Sequence, residues 1–267
     1  IRAIIVMPKT TPDIKVQAVK RLGGEVVLHG DSFDVANKYA IQRAAEDGMS
    51  FIPPYDDELV MAGQGTIGNE ILRQWRDVDY VFVAVGGGGL IAGVAAYLGD
   101  VAPHVKVIPV EYDESACLKA AFEAGERVVL PQVGLFADGT AVAQIGEKPF
   151  EVIQLQKSDN SGPLVEREVV LVNTDEICAA IKDTYDECRS IVEPSGAMAL
   201  AGIKKYVETH ELIGQNIVSI VCGANMNFDR LRYIAERTEL GERKEAIFAV
   251  TIPEKKGSFL NFCRALQ

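Results

Sequence analysis

The chain has 267 residues, 48% of them apolar, and a formal charge of −11. That charge argues against a nucleic-acid or anionic-membrane partner, either of which usually calls for a basic face, and no run approaches the ~20 apolar residues of a membrane span. Five widely spaced cysteines without a C-x-x-C pair suggest neither a disulfide framework nor a zinc site, and Ile1–Met7 is too short for a signal-peptide core, so a cytosolic or organellar chain with reduced thiols is expected.

Ile1–Met7 reads as a strand, followed by a turn in which Thr11 and Pro12 suit the N-cap and first position of a helix. Ile14, Ala18, Val19 and Leu22 share the inner face of that helix, Gly23-Gly24 stops it, and Lys9, Lys15 and Lys20 flank its surface. Glu25–His29 is a second strand, and Asp31 or Ser32 caps a helix running to Gly48. Strand, helix, strand, helix with short connections predicts a parallel sheet. Phe51–Asp57, with Pro53, Pro54 and the acidic pair Asp56-Asp57, is a crossing between subdomains; without a third ligand the acids read as a solvated turn rather than a metal site. Met61–Thr66 leads into a helix with Ile67, Ile71, Leu72 and Trp75 inward. The glycines around Gln64 mark either a close backbone approach or a plain loop.

Tyr80–Val85 is a continuous apolar run of the kind buried on both faces of a parallel sheet, and it delivers the chain into Gly86-Gly87-Gly88-Gly89-Leu90 and a helix. Residues without a Cβ let the backbone bring its N–H groups up to a ligand, and the first turn of the following helix favours an anion, so this stretch predicts a phosphate cradle. Val105–Glu111 is the next strand, with Ser115 starting a helix to Gly125. Val128–Phe150 is irregular, and Asp138-Gly139-Thr140 is a candidate site loop. Gln156–Arg167 is polar and reads as an exposed excursion. Val169–Val172 is a strand and Thr174 caps the helix after it. Glu193-Pro194-Ser195-Gly196 opens another helix, where Glu193 is either beside the site or an exposed first-turn acid. Ile217–Val221 is a buried strand ending at Cys222, followed by a helix on Leu231, Ile234 and Ala235. After a charged linker at Glu239–Glu245, Ile247–Ile252 reads as a strand and Ser258 starts a helix. His29, His104 and His210 lie apart and receive no role.

Two cofactor classes fit the glycines. Gly87-x-Gly89-x-x-Ala92 satisfies a permissive dinucleotide fingerprint, with Glu111 ending the next strand where an acid would bind the ribose of NAD. The alternative is pyridoxal phosphate, whose single phosphate sits on backbone N–H groups and which needs a lysine and a partner for its pyridine nitrogen.

Ile4-Ile5-Val6-Met7-Pro8, the run from Pro54-Tyr55-Asp56-Asp57 to Gly63-Gln64-Gly65-Thr66, Gly86–Leu90, Glu193-Pro194-Ser195-Gly196-Ala197 and Cys222-Gly223-Ala224-Asn225 occur in this order in the serine/threonine dehydratases of the second pyridoxal-phosphate fold type. The chain resembles that family over nearly its whole length, and most resembles its biosynthetic threonine dehydratases, because Ala246–Leu266 is similar to the start of their ACT-type regulatory domain. The resemblance implies an α/β fold with two open parallel-type sheets and flanking helices. It divides the chain into residues 1–55 of a small subdomain, a large cofactor subdomain at 56–241, and a truncated ACT-like start at 242–267.

It further implies that Gly86, Gly87, Gly88, Gly89 and Leu90 hold the phosphate of pyridoxal 5'-phosphate and that Cys222 meets the pyridine nitrogen. The implied reaction is dehydration of L-threonine, or of L-serine, to the 2-oxo acid and ammonia, in isoleucine biosynthesis. A branched-chain amino-acid effector and a homo-oligomer are implied with it. The family's Schiff-base lysine motif is not in this sequence and is expected upstream of residue 1. A non-catalytic cofactor-binding or regulatory paralogue is the alternative, and an NAD enzyme the second. The excursion near Lys157–Arg167 is longer than the family's usual connection.

Overall fold

The computed structural model describes residues 2–246 and 249–266. Residues 4–46 build a small parallel pair: β1 (Ile4–Met7), α1 (Asp13–Arg21), β2 (Glu25–Leu28) and α2 (Phe33–Glu46), with Ile4 opposite Glu25 and Met7 opposite Leu28. Pro12, not Thr11, is the N-cap of α1 and makes no side-chain bond. Ser32 caps α2 by accepting from the Val35 N–H.

The larger sheet holds β3 (Tyr80–Ala84), β4 (Lys106–Tyr112), β5 (Val170–Val172) and β6 (Ile217–Ser219), all parallel, in the order β5-β4-β3-β6. Strand β3 is central and buried throughout. Its period of two splits the core into two layers. Val81, Val83 and Val85 pack with helices on one face: α3 (Glu58–Gln74), α4 (Gly89–Val101), α5 (Cys117–Ala124) and α6 (Glu147–Ile153). Tyr80, Phe82 and Ala84 pack on the other, against α7 (Thr174–Cys188), α8 (Pro194–His210) and α9 (Arg230–Gly241). This is the predicted sheet covered on both faces, and the parallel pairing explains why its strands carry apolar residues in unbroken runs.

The strand order also locates a crevice. From β3 the chain moves out to β4 and β5 on one side, then returns to place β6 on the other, so the order reverses between β3 and β6. In open parallel sheets that reversal leaves a crevice beyond the carboxyl ends of the two strands. The segments leaving those ends here are Gly86–Gly89 and Ile220–Asn225.

Several local expectations are corrected. Met61–Thr66 lies inside α3; a Cβ at Gly93 would fall 2.1 Å from the Met61 carbonyl oxygen and one at Gly65 would fall 3.1 Å from that of Gly93, so these glycines let α3 and α4 touch backbone to backbone. Trp75, expected inward, is 51% exposed because the chain leaves α3 there in an extended conformation. Asn173 rather than Thr174 caps α7, and it does so reciprocally with Glu176. Ser115 ends a short 3-10 turn (Asp113–Ser115) instead of capping α5. The polar excursion is anchored: Lys157 is 6% exposed with its Nζ donating to the Val105 carbonyl at 3.0 Å, and the Ser158 N–H and hydroxyl both donate to Gly99, at the last turn of α4. Of the strand predicted at 247–252, residues 247 and 248 lie outside the described residues, and 249–252 form no strand. Beyond residue 241 the described residues make one helix, α10 (Ser258–Ala265). No described helix is long and apolar enough to cross a membrane.

Candidate functional site

Strand β3 leaves the core at Gly86, and Gly88 then turns with φ +89°, a left-handed conformation that a side chain rarely adopts, to become the N-cap of α4. The outer wall of this turn is tight. A Cβ at Gly87 would fall 2.4 Å from atoms of the Tyr55 ring, and one at Gly88 would fall 3.0 Å from Ile145 and Pro149. Among the described residues none of the N–H groups from Gly86 to Leu90 donates to a protein acceptor, although Gly86, Gly88 and Gly89 are buried. Buried donors require a partner. Consecutive free donors at the positive end of a helix form a receptacle for a phosphate-sized anion.

Cys222 lies three residues past β6, not at the end of a buried strand as expected. The Ile220 N–H still donates to the Phe82 carbonyl, but the chain then peels away. Solvent reaches Cys222, yet its thiol is walled by protein, and burial followed by the neighbouring Glu193 charge pushes its pKa up to about 11. The thiol is therefore neutral near pH 7 and a hydrogen-bond donor, at present directed to the Ser195 carbonyl at 3.6 Å. The start of α8 grips this loop. The Glu193 N–H donates to the Gly223 carbonyl at 3.1 Å, its Oε2 accepts from the Asn225 N–H at 2.8 Å, and a Cβ at Gly196 would lie 2.4 Å from the Gly223 oxygen.

Glu193 is 7% exposed, which corrects its alternative as an exposed first-turn acid. Burial pushes its carboxyl up, against the pull of Lys15, whose Nζ is 3.9 Å away. Lys15 is itself a correction: expected on the surface, it points from α1 into the site and pairs with Asp138 at 2.9 Å, while Arg230 reaches the other Asp138 oxygen at 3.5 Å. Two cations and two anions thus meet where the predicted loop Asp138-Gly139-Thr140 faces α8. Thr140 is buried and 3.5 Å from the Ser195 hydroxyl. Lys15 was missed because its partners are 123 and 178 residues away in sequence, and nothing local in α1 marks one lysine above the others.

Glu111 does not face the glycine turn as a ribose-binding acid. It is fully buried and both its oxygens cap α5, accepting from the Leu118 N–H at 2.7 Å and the Lys119 N–H at 2.9 Å. The carboxylate the dinucleotide reading needs is thus already engaged. Asp56 and Asp57 are likewise caps: Asp57 accepts from Leu59 and Val60 at the start of α3, and Asp56 from Glu147 and Lys148 at the start of α6. Among the described residues no three His, Cys, Asp or Glu side chains gather as metal ligands. His29 stacks on Tyr39, and His210 stacks on Tyr206 and meets Glu168.

A family model described as pyridoxal-phosphate dependent enzyme matches residues 1–223. The biosynthetic L-threonine dehydratase of Salmonella typhimurium is 52% identical over 266 residues, which cover 100% of this chain and 50% of that protein. A mitochondrial threonine dehydratase of Schizosaccharomyces pombe is 52% identical over 263 residues, covering 97% and 42%. The chain thus spans about half the length, or less, of the curated relatives it matches. Among solved structures, the processed form of threonine deaminase isoform 2 from Solanum lycopersicum aligns with a TM-score of 0.81 at 48% identity, covering 90% of this chain and 63% of that one.

Proposed function

The chain belongs to the family of pyridoxal-phosphate-dependent enzymes, and from that premise we propose that Gly86, Gly87, Gly88, Gly89 and Leu90 hold the cofactor's phosphate, that Cys222 meets its pyridine nitrogen, and that the protein to which the chain belongs dehydrates L-threonine to 2-oxobutanoate and ammonia in isoleucine biosynthesis. The observation that carries this is the run of N–H groups from Gly86 to Leu90 without a protein acceptor among the described residues, three of them on the buried residues Gly86, Gly88 and Gly89. It lies across the β3–β6 reversal from a neutral thiol. The threonine dehydratases that are similar along the whole chain support the substrate.

When bound, pyridoxal phosphate supplies an electron sink for the α-carbon of an amino acid. The chain's own residues bind and orient it. The N–H groups fix one end through charge-assisted hydrogen bonds, which are worth ~1.5–3 kcal/mol each. Cys222, whose thiol is neutral near pH 7, would donate its S–H to the ring nitrogen and leave that nitrogen unprotonated, where a carboxylate would hold a proton there. With its nitrogen so held, the cofactor would withdraw electrons less strongly, which suits loss of a β-hydroxyl.

The same proposal places the small subdomain at residues 1–55, the cofactor subdomain at 56–241, and the start of a regulatory domain for a branched-chain amino acid at 242–267. It makes the protein a cytoplasmic or plastid homo-oligomer acting on a small amino acid. Ligand protection tests the cofactor site. Pyridoxal phosphate should slow alkylation of Cys222 by iodoacetamide at least ~5-fold, by the steric exclusion expected of a ligand that buries most of its surface, with Cys188 unaffected. Equal rates with and without the cofactor would remove Cys222 from the site.

A further inference from the structure

The loop bearing Cys222 has no pairing to β3 beyond the Ile220 N–H, so its shape must be imposed by neighbours. Glu193 imposes it at two points on opposite sides of Ala224: its N–H holds the Gly223 carbonyl and its carboxylate holds the Asn225 N–H. The fit is close, since a Cβ at Gly223 would fall 2.4 Å from Glu193 Oε1. A buried carboxylate holds such a geometry only if its charge is compensated. Lys15 does this from α1, with Asp138 and Arg230 completing a neutral set. The lysine belongs to the β1–β2 unit and the carboxylate to the β3–β6 unit, so the ion pair also fastens the two sheets together beside the loop.

We infer that Glu193 is a positioning residue of the reaction: with its charge balanced by Lys15, it clasps Gly223 and Asn225 and so aims the Cys222 thiol into the crevice between β3 and β6. This rests on the role proposed above for Cys222. A carboxylate that merely capped α8 would do so through that helix's own N–H groups, whereas Glu193 makes no side-chain cap bond to α8 and spends its oxygen on the loop.

The test uses the full chain carrying Cys188→Ser and Cys263→Ser, so that Cys222 is the exposed thiol among the described cysteines. Amide exchange at Asn225 and the pH profile of Cys222 alkylation are followed by mass spectrometry. Glu193→Ala should speed exchange at Asn225 by about tenfold, the scale of one lost charged hydrogen bond, while β3 and α4 keep their protection. Glu193→Gln retains an acceptor and should hold Asn225 protected, yet move the Cys222 profile to lower pH because a negative charge beside the thiol is gone. Unaltered Asn225 exchange and Cys222 alkylation in Glu193→Ala would overturn the inference. If that variant does not fold, Glu193→Asp is read instead: its carboxylate is one methylene short of the Asn225 N–H, and unaltered Asn225 exchange there overturns the inference equally. Both readouts are taken without cofactor, so failure of pyridoxal phosphate to protect Cys222 would count against the cofactor site and leave the clasp standing.

Discussion

Gly88→Val should weaken pyridoxal-phosphate binding by at least ~100-fold while leaving the fold intact. Gly88 sits at φ +89°, where a β-branched residue costs ~1–3 kcal/mol of backbone strain, and its Cβ would press on Ile145 and Pro149 at 3.0 Å. The chain can relieve either stress only by rotating the turn, and rotation swings the N–H groups of Gly87 and Gly89 out of convergence. Two charge-assisted bonds lost at ~1.5–3 kcal/mol each give ~3–6 kcal/mol, or ~10²–10⁴ in Kd. A fluorescence titration measures the affinity, and circular dichroism checks that the helices remain. Affinity within a few-fold of the parent would mean that the phosphate lies elsewhere.

The second large effect concerns Glu111, and its direction follows from linkage. Burial pushes the Glu111 carboxyl up to about 7, against the pull of the N–H groups of Leu118 and Lys119 that it caps. In the unfolded chain it titrates near an ordinary ~4.5. Below that pH both states carry the proton. As the pH rises the unfolded chain ionises first, so stability falls between ~4.5 and ~7, by ~3 kcal/mol from this one group. Glu111→Gln cannot titrate. Urea denaturation at a series of pH values should therefore show the parent losing that increment while the variant loses it no longer, although the variant is less stable at every pH where one α5 donor goes unpaired, by ~1–3 kcal/mol. Parallel curves for the two chains would show that Glu111 keeps the same proton affinity folded and unfolded. The same carboxylate shows why the dinucleotide alternative fails: an acid at the end of β4 is visible in the sequence, but its direction, into the start of α5, is not.

What was legible in the sequence was whatever the local chain determines. The run Tyr80–Val85 fixed a strand buried on both faces, and the glycines after it could only be a tight turn at a helix start. Which side chains face each layer follows from the strand's period of two and is not marked in the run, which is apolar throughout. Motif order, through the family resemblance, implied that Cys222 and that turn serve one cofactor across a long sequence separation. What escaped depended on partners remote in sequence. Lys15 looked like any surface lysine because Asp138 and Glu193 arrive from the far side of the fold. Lys157 sat in a polar stretch, and only the Val105 carbonyl, just before β4, explains where its ammonium group is buried. Asp56 and Asp57 cap two different helices, one of them about ninety residues downstream, so a solvated turn was the natural local expectation. Met61–Thr66 read as a loop or an approach point because glycines are poor helix residues; the gain from letting α3 and α4 touch outweighs that propensity.

On the proposed reading, the backbone donors of Gly86–Leu90 receive the phosphate of pyridoxal phosphate. The most direct measurement is an amide-resolved nuclear magnetic resonance titration of the chain with the cofactor, taken alongside inorganic phosphate. Saturable downfield shifts of the Gly86–Gly89 amide protons with both ligands, and of Cys222 with the cofactor alone, are the predicted result. Saturable cofactor binding that leaves those amides unmoved would contradict it.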